Sequence, residues 1–209
     1  MKQLRGRWRR GLLSAAGALV ALLAAWLALV IHPQPLFAHS LERGPVVLYA
    51  REPFPESAAP MLEEALRRLS RSPFYDAKQR HAVFLCDGRA LYRFLTLAPK
   101  GRGITSPFGN VFIDAAGVRA KGGDLAYFVA HELTHALVQS RFGYFSQRKL
   151  APFQREGYAD YVAFADTPPS GPYLHYRRLV AHLLERRGLT AEQLLSKPLD
   201  RARVERDLE

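Results

Sequence analysis

An apolar surface running round most of a helix, with two histidines and a glutamate set into it, leaves this chain the least choice. Leu125, Phe128, Val129, Leu133, Ala136 and Leu137 recur at helical spacing, and among them stands His131-Glu132-Leu133-Thr134-His135. Gly122-Gly123 with Asp124 as N-cap opens the helix, and Gly143 stops it after Phe142. A helix apolar over so broad a surface belongs at the centre of a domain. Histidines four residues apart lie one turn apart on one face, where both imidazoles reach a single metal ion. Glu132 lies beside that pair and can hold a water at the metal.

A second helical stretch supplies what the first lacks. Arg155-Glu156-Gly157-Tyr158-Ala159-Asp160-Tyr161 begins twenty-one residues after His135 if counted from Glu156, with Pro152 suited to the first turn of its helix. Glu156 as third protein ligand leaves the fourth position of a tetrahedral zinc open for water, as a catalytic site requires; four protein ligands would make it structural. Asp160, one turn further on the same face, can accept a hydrogen bond from the non-ligating nitrogen of a zinc histidine. His131 is the expected recipient, with His135 the alternative. Singly, these are ordinary helix histidines and solvated acids. Two histidines and three carboxylates at compatible spacing on two helices point instead to a metal site.

H-E-x-x-H followed at this distance by E-x-x-x-D resembles the gluzincin metallopeptidases, the group that includes thermolysin-like enzymes. The likeness covers about residues 123–166. It implies that His131, His135 and Glu156 bind Zn2+, that Glu132 is the general base, and that Asp160 supports a ligand from behind. It also implies a small twisted β-sheet packed beside the motif helix, and a tyrosine or histidine that stabilises the tetrahedral intermediate. Tyr144, Tyr158, Tyr161, Tyr173, His175 and Tyr176 are the candidates for that role. In such an architecture an edge strand borders the cleft and pairs with an extended peptide. Asn110–Asp114, just before the motif helix, is either that strand or an ordinary core strand.

The first forty or so residues stand apart. Residues 1–10 carry five positive charges and no negative one, and residues 11–31 carry no charge at all. At 1.5 Å per residue the uncharged run spans about 30 Å, the thickness of a bilayer's hydrocarbon core. The basic flank predicts a cytoplasmic N-terminus and an exported remainder. The run is longer than a cleaved signal's apolar region, so a retained signal anchor is expected; cleavage after Leu36-Phe37-Ala38 is the alternative. Residues 32–45, with two prolines before Glu42, read as a linker, and residues 46–209 as one metallopeptidase-like domain.

Within that domain, Val46–Tyr49, His81–Cys86 and Val111–Ile113 read as strands. Glu56–Ser70, Arg89–Leu97 and Tyr173–Arg187 read as helices, the last after Thr167-Pro168-Pro169, and Thr190 caps a short final one. Pro99–Gly103 reads as a loop. Strands come early and helices late, so the class is α+β, with a mostly helical C-terminal half behind one transmembrane helix. Cys86, the one cysteine, sits among apolar neighbours as an inert thiol and excludes a disulfide scaffold. Net charge is +11, of which +5 lies in the first ten residues. The rest is dispersed arginine on amphipathic helices, without the basic stripe and interleaved aromatics of a nucleic-acid surface.

These features lead to a membrane-anchored, extracytoplasmic zinc metallopeptidase acting on a peptide or protein. Two readings compete with it. One is an inactive or non-peptidase zinc-hydrolase-like frame serving as an envelope binding module. The other is a bitopic protein whose domain serves assembly and binds no metal.

Overall fold

The computed structural model describes residues 2–164 and 173–208; the Thr167–Pro169 stretch lies outside the described residues. Two compact units are distinguished, residues 1–36 and 37–209. The first is dominated by α1 (Lys2–Ile31), whose Ser14–Ile31 portion is long and apolar enough to cross a membrane.

The second unit is α+β. Its five strands are β1 (His39–Arg43), β2 (Val46–Ala50), β3 (His81–Cys86), β4 (Gly103–Thr105) and β5 (Val111–Asp114), in the order β1-β2-β3-β5-β4. The central pairs β2–β3 and β3–β5 are parallel, and the outer pairs β1–β2 and β4–β5 are antiparallel. Helices α2 (Ala58–Leu69) and α3 (Arg89–Thr96) lie between strands. After β5 the chain is helical: α4 (Ala115–Arg119), α5 (Leu125–Phe142), α6 (Tyr144–Lys149), α7 (Pro152–Ala163), α8 (Leu174–Ala181), α9 (Ala191–Leu195) and α10 (Arg201–Arg206).

Alternation along the strands decides what each face holds. Val46, Leu48, Val83, Leu85, Val111 and Ile113 join the core formed with α2 and α5. Tyr49, Phe84 and Phe112 are in register across three strands on the other face, with ring centroids 4.9 Å and 5.3 Å apart. Such pairs add about 0.5–1.5 kcal/mol each beyond the area they bury.

Several expectations need correction. The stretch 32–45 is not all linker, because β1 inside it pairs with β2 from His39↔Ala50 to Arg43↔Val46. The loop expected at Pro99–Gly103 runs into β4. β5 is no edge strand: it is buried throughout and pairs on both sides, so β4 forms that edge. The helix expected over Tyr173–Arg187 ends at Ala181 and continues as a wider turn, where the Arg187 N–H reaches the His182 carbonyl at 3.0 Å. The helix capped by Thr190 is followed by α10, so it is not the last. The spans of α5 and β3 match expectation, as does the start of α7.

Polar groups buried between elements fix their placement. Asp114 is 1% exposed and accepts from Arg102 Nη1 at 2.6 Å and Arg89 Nη1 at 3.3 Å. Arg89 also donates to the Gly101 and Pro99 carbonyls, so the segment leading into β4 is clamped to the end of β5. Gln154 in α7 is fully buried and spends both amide ends on backbone, donating to Leu194 and Lys197 and accepting from Ala151 and Leu199. That ties α7 to the C-terminal segment.

Gly157 lets α7 and α8 meet. A Cβ there would lie 2.5 Å from the Tyr176 carbonyl oxygen, a backbone atom that cannot swing away. Gly157→Ala should therefore force the helices apart and cost about 1–3 kcal/mol, seen as a lower Tm and denaturant midpoint.

Candidate metal centre

α5 and α7 pack against each other and carry the whole expected ligand set. His131 Nε2 lies 3.5 Å and His135 Nε2 3.4 Å from the same oxygen, Glu156 Oε2. One ligand atom from each of the three residues falls within 4.8 Å of the others. For metal–ligand distances of about 2.0–2.2 Å, tetrahedral geometry separates neighbouring ligands by about 3.3–3.5 Å. The two nitrogen–oxygen spacings fit that requirement, and two imidazoles with a carboxylate are a donor set suited to zinc.

Asp160 stands behind the cluster, and His131 is the histidine it meets. Its Oδ1 is 2.9 Å from His131 Nδ1, leaving Nε2 directed at Glu156. Tyr127, one turn before His131 on α5, donates its hydroxyl to the same oxygen at 2.7 Å. Tyr127 escaped the sequence reading, although its spacing four residues ahead of His131 was signal enough to place it on the ligand face. His135 has a neighbour of its own: Gln147 of α6 brings its amide 3.3 Å from Nδ1. Nothing in the sequence around Gln147 marks that contact, which depends on how α6 folds back.

Glu132 is buried against β4. Thr105 Oγ1 donates to the Glu132 carbonyl at 2.7 Å and lies 3.3 Å from its Oε2. A Cβ on Gly103 would sit 2.5 Å from Glu132 Oε1 and 2.6 Å from its Cγ, so a glycine at that point of the edge strand makes room for the carboxylate. Neither Gly103 nor Thr105 was legible beforehand, because β4 itself was not.

Electrostatics separates the groups. Burial pushes the Glu132 carboxyl above the usual range, against the pull of His135 and His131. Burial would raise Glu156 as well, but its hydrogen bonds with the two histidines hold it well below the usual carboxylate range. Burial disfavours a charged His131, yet Asp160, Glu156 and the Glu132 charge outweigh it and raise the ring to about 10. With three carboxylates around two imidazoles, the site draws in positive charge.

These residues open onto a cleft of about 660 Å³, bordered by β4, α5, α6 and the start of α7 and α8. Of the six candidate oxyanion donors, Tyr144 and Tyr173 line it. Tyr173 stacks over His131 at 6.1 Å between centroids. Tyr158 is instead buried on Ser72, His175 pairs with Glu205, Tyr161 borders a different cavity, and Tyr176 lies beside Arg201. Arg155, which lines the cleft beside Glu156, also went unnoticed in the sequence. Cys86 is fully buried, its thiol pushed up to about 12 by burial and by the Asp87 and Asp114 charges. It takes no part in the site.

Compared with protein-family models, curated proteins and solved structures, the chain matches none.

Alanine at His131, His135 or Glu156 should each lower zinc content of the purified protein far below one equivalent by elemental analysis. Asp160→Asn should leave the fold intact and weaken zinc affinity by roughly 10–100-fold in a chelator competition. Full zinc retention in all three alanine variants would remove the ligand assignment.

Proposed function

We propose that this chain is a zinc-dependent metallopeptidase of the gluzincin kind, anchored by α1 with its folded domain outside the cytoplasm. The observation that carries the reading is the convergence of His131, His135 and Glu156 on one point of a cleft, with a buried Glu132 beside them. The sheet beside α5 and the helical C-terminal half suit it, since a small twisted sheet against the motif helix is what that resemblance implies.

Zinc, when held by His131, His135 and Glu156, supplies a Lewis acid that polarises a carbonyl and acidifies water. Glu132 is placed to accept a proton from a water in the cleft and to return it to the leaving amine. Its buried carboxyl has a raised proton affinity, which favours that exchange over a permanently charged acid. Asp160 fixes the His131 tautomer by accepting from Nδ1, and Tyr127 steadies Asp160. Tyr173 offers a hydroxyl to the oxyanion that develops on the substrate. Burial and then the charges of Glu156, Asp160 and Glu132 raise its pKa, so it remains a donor. β4, as the sheet edge, offers backbone groups to an extended peptide, the role that Asn110–Asp114 would have taken had it been an edge strand.

Glu132→Gln is the test. It should retain zinc and lose peptide hydrolysis by about 10²–10⁴-fold or more. Wild-type rates in that variant would deny Glu132 the role of base. For topology, a reporter fused after Glu209 should work only if it requires an extracytoplasmic location, and the intact protein should sediment with membranes. A reporter active in the cytoplasm would reject the export.

A further inference from the structure

Among the described residues of the folded unit, the exposed large apolar side chains are Phe94, Leu97, Phe108, Phe145 and Leu208. Three of them adjoin residues of the cleft lining. Leu97, Phe108 and Phe145 each directly follow a residue that lines it, namely Thr96, Pro107 and Tyr144. Phe94 is on the same helix as Thr96. Exposed apolar residues scattered singly need no explanation, but a set gathered round one opening marks an interaction surface.

Leu97 strengthens the case. It caps α3 in the left-handed region at φ 53°, the only non-glycine with positive φ among the described residues. Glycine is the usual occupant of such a cap. Here the backbone carries that strain while the leucine side chain remains 68% exposed, so packing does not offset it.

Charge identifies the occupant. Residues 88–113 and 133–155, which with Glu132 and Glu156 supply most of the cleft's border, contain eight lysines and arginines and no aspartate or glutamate of their own. Arg89 and Arg102 pair with Asp114, Arg141 with Glu192, and Arg155 lies beside Glu156. Arg93, Lys100, Arg148 and Lys149 are exposed and have no carboxylate partner among the described residues. An apolar rim alone would suit an unfolded peptide equally well. Four unmatched cations interleaved with it suit an anionic lipid surface, where aromatic and aliphatic side chains enter the headgroup boundary and lysines and arginines engage the headgroups.

We propose that the cleft rim is a membrane-docking surface, in which Leu97, Phe108 and Phe145 insert into the headgroup–acyl boundary and Arg93, Lys100, Arg148 and Lys149 bind anionic lipid headgroups. The docking does not depend on the metal or on turnover.

The full chain, reconstituted into vesicles, tests this with a polarity probe on Phe145→Cys and, separately, on Phe108→Cys; buried Cys86 stays unlabelled. In equimolar phosphatidylcholine and phosphatidylserine, lipid-borne nitroxides should quench both probes. A control probe on Lys78→Cys should stay in water. Arg148→Glu and Lys149→Glu should each lower the docked-to-undocked ratio about fivefold or more. Leu97→Gly should weaken docking while leaving thermal stability equal or higher, whereas a structural Leu97 would lose stability. Probes as water-exposed as the control in these vesicles would overturn the proposal. So would quenching independent of phosphatidylserine, or shielding only by an added unfolded peptide, which would make the rim a peptide-binding face.

Discussion

Asp160 is the group on which the arrangement of the helical half turns. It is 1% exposed, and a carboxylate so deeply placed is tolerable only where donors meet it. Both donors, the His131 ring and the Tyr127 hydroxyl, come from α5, whereas Asp160 belongs to α7. The pair of contacts therefore fixes the rotation of one helix against the other. Once that rotation is set, Glu156, one turn earlier on α7, faces both histidine Nε2 atoms without further adjustment. Gly157, the next residue, admits α8 against the same helix, and α8 begins just after Tyr173, which lines the cleft. A single buried carboxylate thus brings together residues spread over more than forty positions of sequence.

The same crowding of charge drives the carboxylates to opposite protonation preferences. Glu156 is held ionised by two imidazoles, and Glu132 is pushed toward its neutral form by burial. Environments that drive like groups apart are what separate a ligand from a proton-transfer residue. Asp160 Oδ2 is buried without a hydrogen-bond partner among the described residues. Such an acceptor adds to the negative field at His131, so the site is poised for a cation.

What the sequence made legible follows from periodicity. α5 announced itself through an apolar surface and its closing Gly143, α7 through Pro152, and β3 through a continuous apolar run. Those are the elements that carry or underlie His131, His135 and Glu156, so the residues that could hold a metal ion could be named in advance. β1 was hidden because His39-Ser40-Leu41-Glu42-Arg43 has one apolar residue to show; backbone pairing with β2 holds it, not burial. β4 has three residues, one of them a glycine, too short for any period, and exists as a strand because β5 accepts it. The irregular end of α8 left no mark either, since His182-Leu183-Leu184-Glu185-Arg186 has ordinary helical composition. Contacts made through these unseen pieces, such as Thr105 and Gly103 with Glu132, stayed hidden with them.

That leaves β4 with a weight beyond its length. An edge strand of three residues has little to hold it in place by pairing alone. Here Arg102 runs from its start to the buried Asp114 at the end of β5, and Arg89 joins the same carboxylate while gripping the preceding loop. Thr105 and Gly103 then meet α5 at Glu132. One wall of the cleft is accordingly set by Asp114 and another by Asp160, two buried acids that do not line it. Glu132 lies between them, its backbone on the helix that Asp160 orients and its carboxylate beneath the strand that Asp114 anchors. Moving either acid changes where the Glu132 carboxylate stands relative to the two histidines, so the precision of the site rests on charge pairs outside it.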